Sequence, residues 1–240
     1  MWVGEVVMAR VRRLALVGAL VGGTLAGSAS ASATTYYCFG EAATQVGTEG
    51  DDTLTGTSGV DVIVGLGGKD LIDGKGSNDL ICSGDEPSND INTGDAVYGG
   101  TGADSIGTGT GGDEVRGGSG PDKIYAGSGD DSVRGEGGND LIRAGRGDDF
   151  AIGDDGADTV YGEAGTDSVL DNNTFGDGYT DHLYGGAGDD WVYATSESSG
   201  PLPSDFLNGG SETENGEDRC VADPEDHVTR CESVTIFPTA

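Results

Sequence analysis

The stretches Gly99-Gly100-Thr101-Gly102-Ala103-Asp104-Ser105-Ile106-Gly107 and Gly117-Gly118-Ser119-Gly120-Pro121-Asp122-Lys123-Ile124-Tyr125 follow one plan. In each, an aspartate stands two residues after a glycine and two before an isoleucine. Worked outward, the plan recurs with a nine-residue step. Aspartates fall at Asp52, Asp61, Asp70 and Asp79, then at Asp95, Asp104, Asp113, Asp122, Asp131, Asp140, Asp149, Asp158 and Asp167, and finally at Asp181 and Asp190. The steps from Asp79 to Asp95 and from Asp167 to Asp181 are longer, which puts loop insertions near residues 83–92 and 171–177. Glycine precedes the aspartate by two places except at Ser77, Thr93 and Tyr179, and an aliphatic follows it by two except at Ala151.

This order dictates a shape. Glycines ahead of the aspartate permit positive φ and a tight turn, at an entropic cost a helix would not tolerate. The three residues after it favour a strand with one apolar side chain pointing inward. Six residues of turn and three of strand make a half-coil, and two half-coils make an 18-residue turn of an all-β solenoid. Aspartates two repeats apart then share an edge about 4.8 Å apart. Stacked carboxylates repel, and a hard dication between them reverses the sign of the interaction. Calcium fits better than magnesium, which resists an all-protein oxygen cage. Zinc and iron lack their usual nitrogen and sulfur ligands, since His182 and His227 lie outside the repeat positions.

These units resemble the haemolysin-type, or RTX, calcium-binding nonapeptide, over residues 47–193. The resemblance implies a right-handed parallel β-roll with calcium between successive turns, and makes the fifteen aspartates named above its side-chain ligands. Pairing aspartates within the unbroken blocks gives about nine ions. The leading Gly-Gly pair is broken at Gly135-Glu136, Gly153-Asp154 and Gly162-Glu163.

The ends read differently. Arg10, Arg12 and Arg13, an apolar run from Leu14 to Leu25 and the tail Ala29-Ser30-Ala31-Ser32-Ala33 describe a secretory signal peptide over residues 1–33. The apolar run is too short for a membrane span. Cleavage is expected after Ala31 or Ala33, the start at Met1 or Met8 stays open, and export by the general or the twin-arginine route is not distinguished. The chain is expected to be secreted to the extracellular space. Four cysteines suit an oxidising compartment. The simplest pairing joins Cys220 to Cys231 and leaves Cys38 for Cys82, tying down an N-terminal cap at 34–46 and a C-terminal cap at 194–240.

Composition narrows the function. With 12 Lys+Arg against 43 Asp+Glu the net charge is −31, and loss of Glu5, Arg10, Arg12 and Arg13 with the signal makes it −33. Nucleic acid is therefore a poor partner. Gly-x-Gly-x-x-Gly strings arise from the repeat itself and lack the strand–helix setting of a nucleotide site. The segment from Asp171 starts like an EF-hand, but Phe175 takes a ligand position and His182 replaces the closing glutamate. Neither a His-Glu-x-x-His nor a Gly-x-Ser-x-Gly sequence is present. The leading reading is a non-enzymatic extracellular module that folds on calcium, with acidic or cell-surface polysaccharide as a candidate partner. The alternative is a polysaccharide lyase or epimerase using a strand face lined by Tyr98, Tyr125, Tyr161, Tyr184 and Tyr193 with Arg116, Arg134 and Arg143. An ice-binding face would need a regular threonine row, which stops after Thr101 and Thr110.

Overall fold

The computed structural model describes residues 34–85, 94–171, 179–194, 204–211, 218–222 and 224–236. The signal segment and most of both expected insertions lie outside the described residues. A small antiparallel hairpin, β1 (Tyr37–Cys38) and β2 (Glu41–Ala42), comes first. Two parallel ten-stranded sheets follow, and the chain alternates between them. One holds β3 (Gln45–Val46), β5 (Val62–Leu66), β7 (Leu80–Asp85), β9 (Ser105–Thr110), β11 (Lys123–Ser128), β13 (Leu141–Arg146), β15 (Thr159–Ala164), β17 (His182–Ala187), β19 (Phe206–Ser211) and β21 (His227–Thr229). The other holds β4 (Thr53–Thr55), β6 (Leu71–Asp73), β8 (Ala96–Thr101), β10 (Glu114–Ser119), β12 (Ser132–Gly137), β14 (Phe150–Asp155), β16 (Ser168–Asp171), β18 (Trp191–Ala194), β20 (Arg219–Ala222) and β22 (Ser233–Ile236). The fold is an all-β parallel β-roll.

Register follows the repeat. Ile106 pairs with Ile124 and Ile124 with Ile142 in one sheet, while Val97, Val115 and Val133 line up in the other. The two rows face each other as one core running the length of the roll, with Ile63, Ile72, Ile81, Ile106, Ile124 and Ile142 fully buried. Insertions leave this register intact: Ile81 still pairs with Ile106, and Val160 with Leu183. A loop can lengthen at the edge without disturbing strands on either side of it, because each coil packs only on its neighbours.

Residues 194–240, expected as a cap, instead carry β19 to β22 in continuation of both sheets. Leu207 and Cys220 take the inward slot of the earlier aliphatics, and Val228 and Cys231 pack against the same core. The Cys220–Cys231 disulfide thus sits at the C-terminal end of the core, with a Cα–Cα separation of 5.9 Å. At the other end the Cys38–Cys82 disulfide, Cα–Cα 5.7 Å, does not cover the first coil. It holds the β1–β2 hairpin against the outer face of β5 and β7, where Cys38, Val62, Val64 and Cys82 form a second small core with Tyr36 and Phe39. A sheet with both faces covered reads as a continuous apolar run, as Val62-Ile63-Val64 does.

Candidate metal centre

Each ladder aspartate sits immediately before its strand, so the two sheets present one file of carboxylates on each edge. Asp52, Asp70, Asp95, Asp113, Asp131, Asp149, Asp167 and Asp190 form the first file. Asp61, Asp79, Asp104, Asp122, Asp140, Asp158 and Asp181 form the second. The fifteen residues singled out in the sequence are therefore brought together on two lines.

Within a file, contacts repeat. The backbone N–H of one aspartate donates to the carboxylate Oδ1 of the aspartate one turn on, as from Asp104 to Asp122 at 2.8 Å and from Asp122 to Asp140 at 2.8 Å. The second oxygen is left over. Oδ2 of Asp70, Asp79, Asp104, Asp113, Asp122, Asp131, Asp140, Asp149, Asp167, Asp181 and Asp190 is buried with no hydrogen-bond partner among the described residues. At Asp70, Asp79, Asp104, Asp122, Asp140, Asp167 and Asp190 it is aimed at a glycine five places earlier in the chain. A Cβ on Gly99 would lie 2.7 Å from Asp104 Oδ2 and 2.4 Å from the Gly117 carbonyl oxygen of the next turn. At Gly135 the same two groups, Asp140 Oδ2 and the Gly153 carbonyl, would be 2.3 and 2.5 Å away. Carboxylate and carbonyl oxygens thus converge on one space between turns. An all-oxygen set of this kind suits calcium and offers nothing to a soft metal.

The first aspartate of each file departs from the rule. Asp52 Oδ2 accepts from the Thr48 N–H and hydroxyl at 2.5 and 2.9 Å, and Asp61 Oδ2 accepts from Thr57 at 2.6 and 2.9 Å. Their second oxygens are already satisfied by the chain. At the other end the files run beyond Asp190. Asp181 N–H donates to Asp205, Asp190 to Asp218, Asp205 to Asp226, and Asp218 to the Glu232 carboxylate. These four acidic residues were not read as ladder members. A usable signal existed, since Asp205-Phe206-Leu207-Asn208-Gly209-Gly210 repeats the pattern of Asp181-His182-Leu183-Tyr184-Gly185-Gly186.

The turns account for the broken glycine pairs. Gly120, Gly129 and Gly138 adopt φ of 113°, 132° and 146°. Where glycine is missing the conformation persists, with Ser77 at 78°, Glu136 at 73°, Asp154 at 65° and Glu163 at 80°. Ser77 therefore keeps a positive φ ahead of Asp79, at a smaller angle than the glycines. The three acidic side chains are held by arginines from the preceding turn: Arg134 forks onto Asp154 at 2.9 and 2.7 Å, Arg143 meets Glu163 at 2.8 Å, and Arg116 approaches Glu136 at 3.9 Å. Arg116 and Arg143 also lie over the rings of Tyr98 and Tyr161. Two tyrosines of the outer faces, Tyr98 and Tyr161, are thus engaged with arginines across strands.

Burial makes the ladder costly to ionise. Loss of water pushes Asp122, Asp149, Asp167 and Asp190 up to about 7 and Asp131 to about 8, and neighbouring carboxylates add to the rise. Asp70, Asp79, Asp113 and Asp140 rise to about 6 for the same first reason. An unfolded aspartate titrates near 3.9. Between about pH 4 and 8 the metal-free roll therefore binds more protons than the unfolded chain, and its stability falls as pH rises through that window. The expected outcome is the reverse of ordinary acid denaturation: with chelator present, the far-ultraviolet β signal increases on acidification from pH 8 towards pH 4.5. A metal-free chain that loses β structure on acidification would contradict the buried ladder.

A family model for the RTX calcium-binding nonapeptide repeat matches the chain in four copies, at residues 46–81, 107–142, 134–169 and 172–196. No curated protein matches it.

Proposed function

The chain belongs to the RTX calcium-binding nonapeptide repeat family, and from that premise we propose that it is a secreted protein whose roll assembles around calcium outside the cell and acts there as a structural or interaction module. Calcium binding itself comes with the family. The observation that carries the dependence of folding on calcium is the file of buried Oδ2 atoms facing main-chain carbonyls. A hydrogen-bond donor at each site would have made the ladder self-sufficient, as Thr48 and Thr57 do for Asp52 and Asp61.

Secretion is supported by the basic stretch, short apolar run and Ala-x-Ala exit of residues 10–33. The outer faces offer arginines stacked on tyrosines, which supports acidic or cell-surface polysaccharide as the partner class. Cytosolic calcium is scarce, so a chain this acidic stays threadable until it meets calcium outside. Expressed in a host with an intact general secretory route, the protein is expected in the medium with its N-terminus at Ser32 or Thr34 by mass spectrometry. Retention in the cytosol with residues 1–33 attached would reject the secreted reading.

A further inference from the structure

The position four places after a ladder aspartate is kept small along the roll. At Gly153 a Cβ would lie 2.5 Å from Asp158 Oδ2, and at Gly162 it would lie 2.5 Å from Asp167 Oδ2. Asp171 breaks this rule. It stands four places after Asp167, ends β16, and pairs in register with Ala194. The chain has thus placed a carboxylate at the point to which the next ladder aspartate along the chain, a member of the other file, directs its oxygen.

The consequence is a group unlike the other inter-turn spaces. Ligand oxygens of Asp171, Asp181 and Asp205 all lie within 4.8 Å of one another. The three side chains are 3%, 1% and 4% exposed. Oδ2 of Asp181 has no hydrogen-bond partner among the described residues, while Oδ1 of Asp205 accepts from the Asp181 N–H at 2.8 Å. Affinity in oxygen-ligand sites is tuned by the number of charged ligands. One more carboxylate strengthens the hold on calcium, and strengthens it further for an ion of charge three.

We propose that Asp171, Asp181 and Asp205 form a three-carboxylate cation site that binds calcium more tightly than the ordinary inter-turn sites and prefers trivalent lanthanide ions to calcium. The proposal rests on the reading of the ladder as calcium-binding, and adds Asp171 and Asp205 as ligands outside the regular repeat. Filling this site first would fix the stretch of roll where the repeat spacing is least regular.

Isothermal titration of the chain from residue 34 onward with calcium tests it, together with terbium competition and native mass spectrometry. The wild type is expected to show one calcium of about tenfold or greater affinity over the rest, displaced by terbium at the lowest ratio. Asp171→Asn should lose that phase and leave the remaining isotherm unchanged. Asp171→Ala introduces the residue found in register at Ala194 and should behave alike, which separates ligand loss from misfolding. A tight phase unchanged in both variants overturns the site, as it would if Asp171 and Asp181 merely shared a proton. Failure of the wild type to bind calcium at all would instead remove the family reading from this chain.

Discussion

Addition of a calcium chelator at pH 7.5 is expected to abolish the β signal of the chain from residue 34 onward and to expand it from a radius of gyration of about 17 Å towards about 50 Å. Magnitudes decide this. A buried carboxylate stripped of its partner costs roughly 3–5 kcal/mol, and the oxygens without partners run from Asp70 to Asp218. A domain has only about 5–15 kcal/mol of stability in hand, so even a few such sites ionised together exceed it. The core cannot compensate, because each coil contributes one inward aliphatic per sheet, such as Ile106 or Val115.

Calcium reverses the balance by mass action. Each site filled at a hundredfold excess over its dissociation constant contributes about 2.7 kcal/mol. Because the same aspartate files run through neighbouring turns, filling one space orders the next, and the transition with calcium should be steep. Circular dichroism and small-angle scattering against calcium concentration measure it. A roll equally β-rich and equally compact with chelator and with millimolar calcium would show that the ladder is structural without an ion, with its carboxylates protonated or otherwise satisfied.

Much of this was legible in the chain because the repeat is local. Nine residues carry the turn, the ligand and the inward aliphatic together, so counting from Asp104 and Asp122 placed both files and both apolar rows. What escaped was whatever the counting frame could not hold. Beyond Asp190 the intervals become irregular and Pro203 and Pro224 stand where glycine is expected, yet Leu207, Cys220 and Val228 still fill the core. Asp171 fell into what looked like an insertion, although it ends a strand in full register. The N-terminal hairpin covers an outer sheet face because its partners, Val62 and Val64, lie on the side the repeat leaves to solvent elsewhere. Long-range placement of that kind is fixed by the Cys38–Cys82 link and by apolar contact, and a repeat period carries no information about either.

Gly129→Ala is expected to destabilise the calcium-loaded roll by roughly 2–6 kcal/mol, whereas Gly137→Ala, at the end of β12, is expected to change stability by less than about 0.5 kcal/mol. Both substitutions add one methyl group to a glycine, so the size of the change does not separate them. Position does. Gly129 holds φ at 132°, and a Cβ there would lie 1.8 Å from the Gly111 carbonyl oxygen of the preceding turn. Gly137 has no positive φ, and its nearest neighbour would be the Gly118 carbonyl oxygen at 3.9 Å. Residues such as Ser77 and Glu163 tolerate left-handed turns, but at 78° and 80°, well short of the conformation Gly129 requires. Strained backbone of this kind costs roughly 1–3 kcal/mol, and the overlap with a rigid carbonyl adds a further 1–3 kcal/mol or so. The carbonyl cannot retreat freely, because the same turns stack at the strand spacing on both sides, and pushing Gly111 moves Asp113 out of line with Asp131. The defect should therefore appear twice, as a lower melting temperature in calcium and as a higher calcium concentration at the folding midpoint. Equal behaviour of the two variants would mean that the turns are pliable, and that glycine at this place serves something other than the close approach of successive coils.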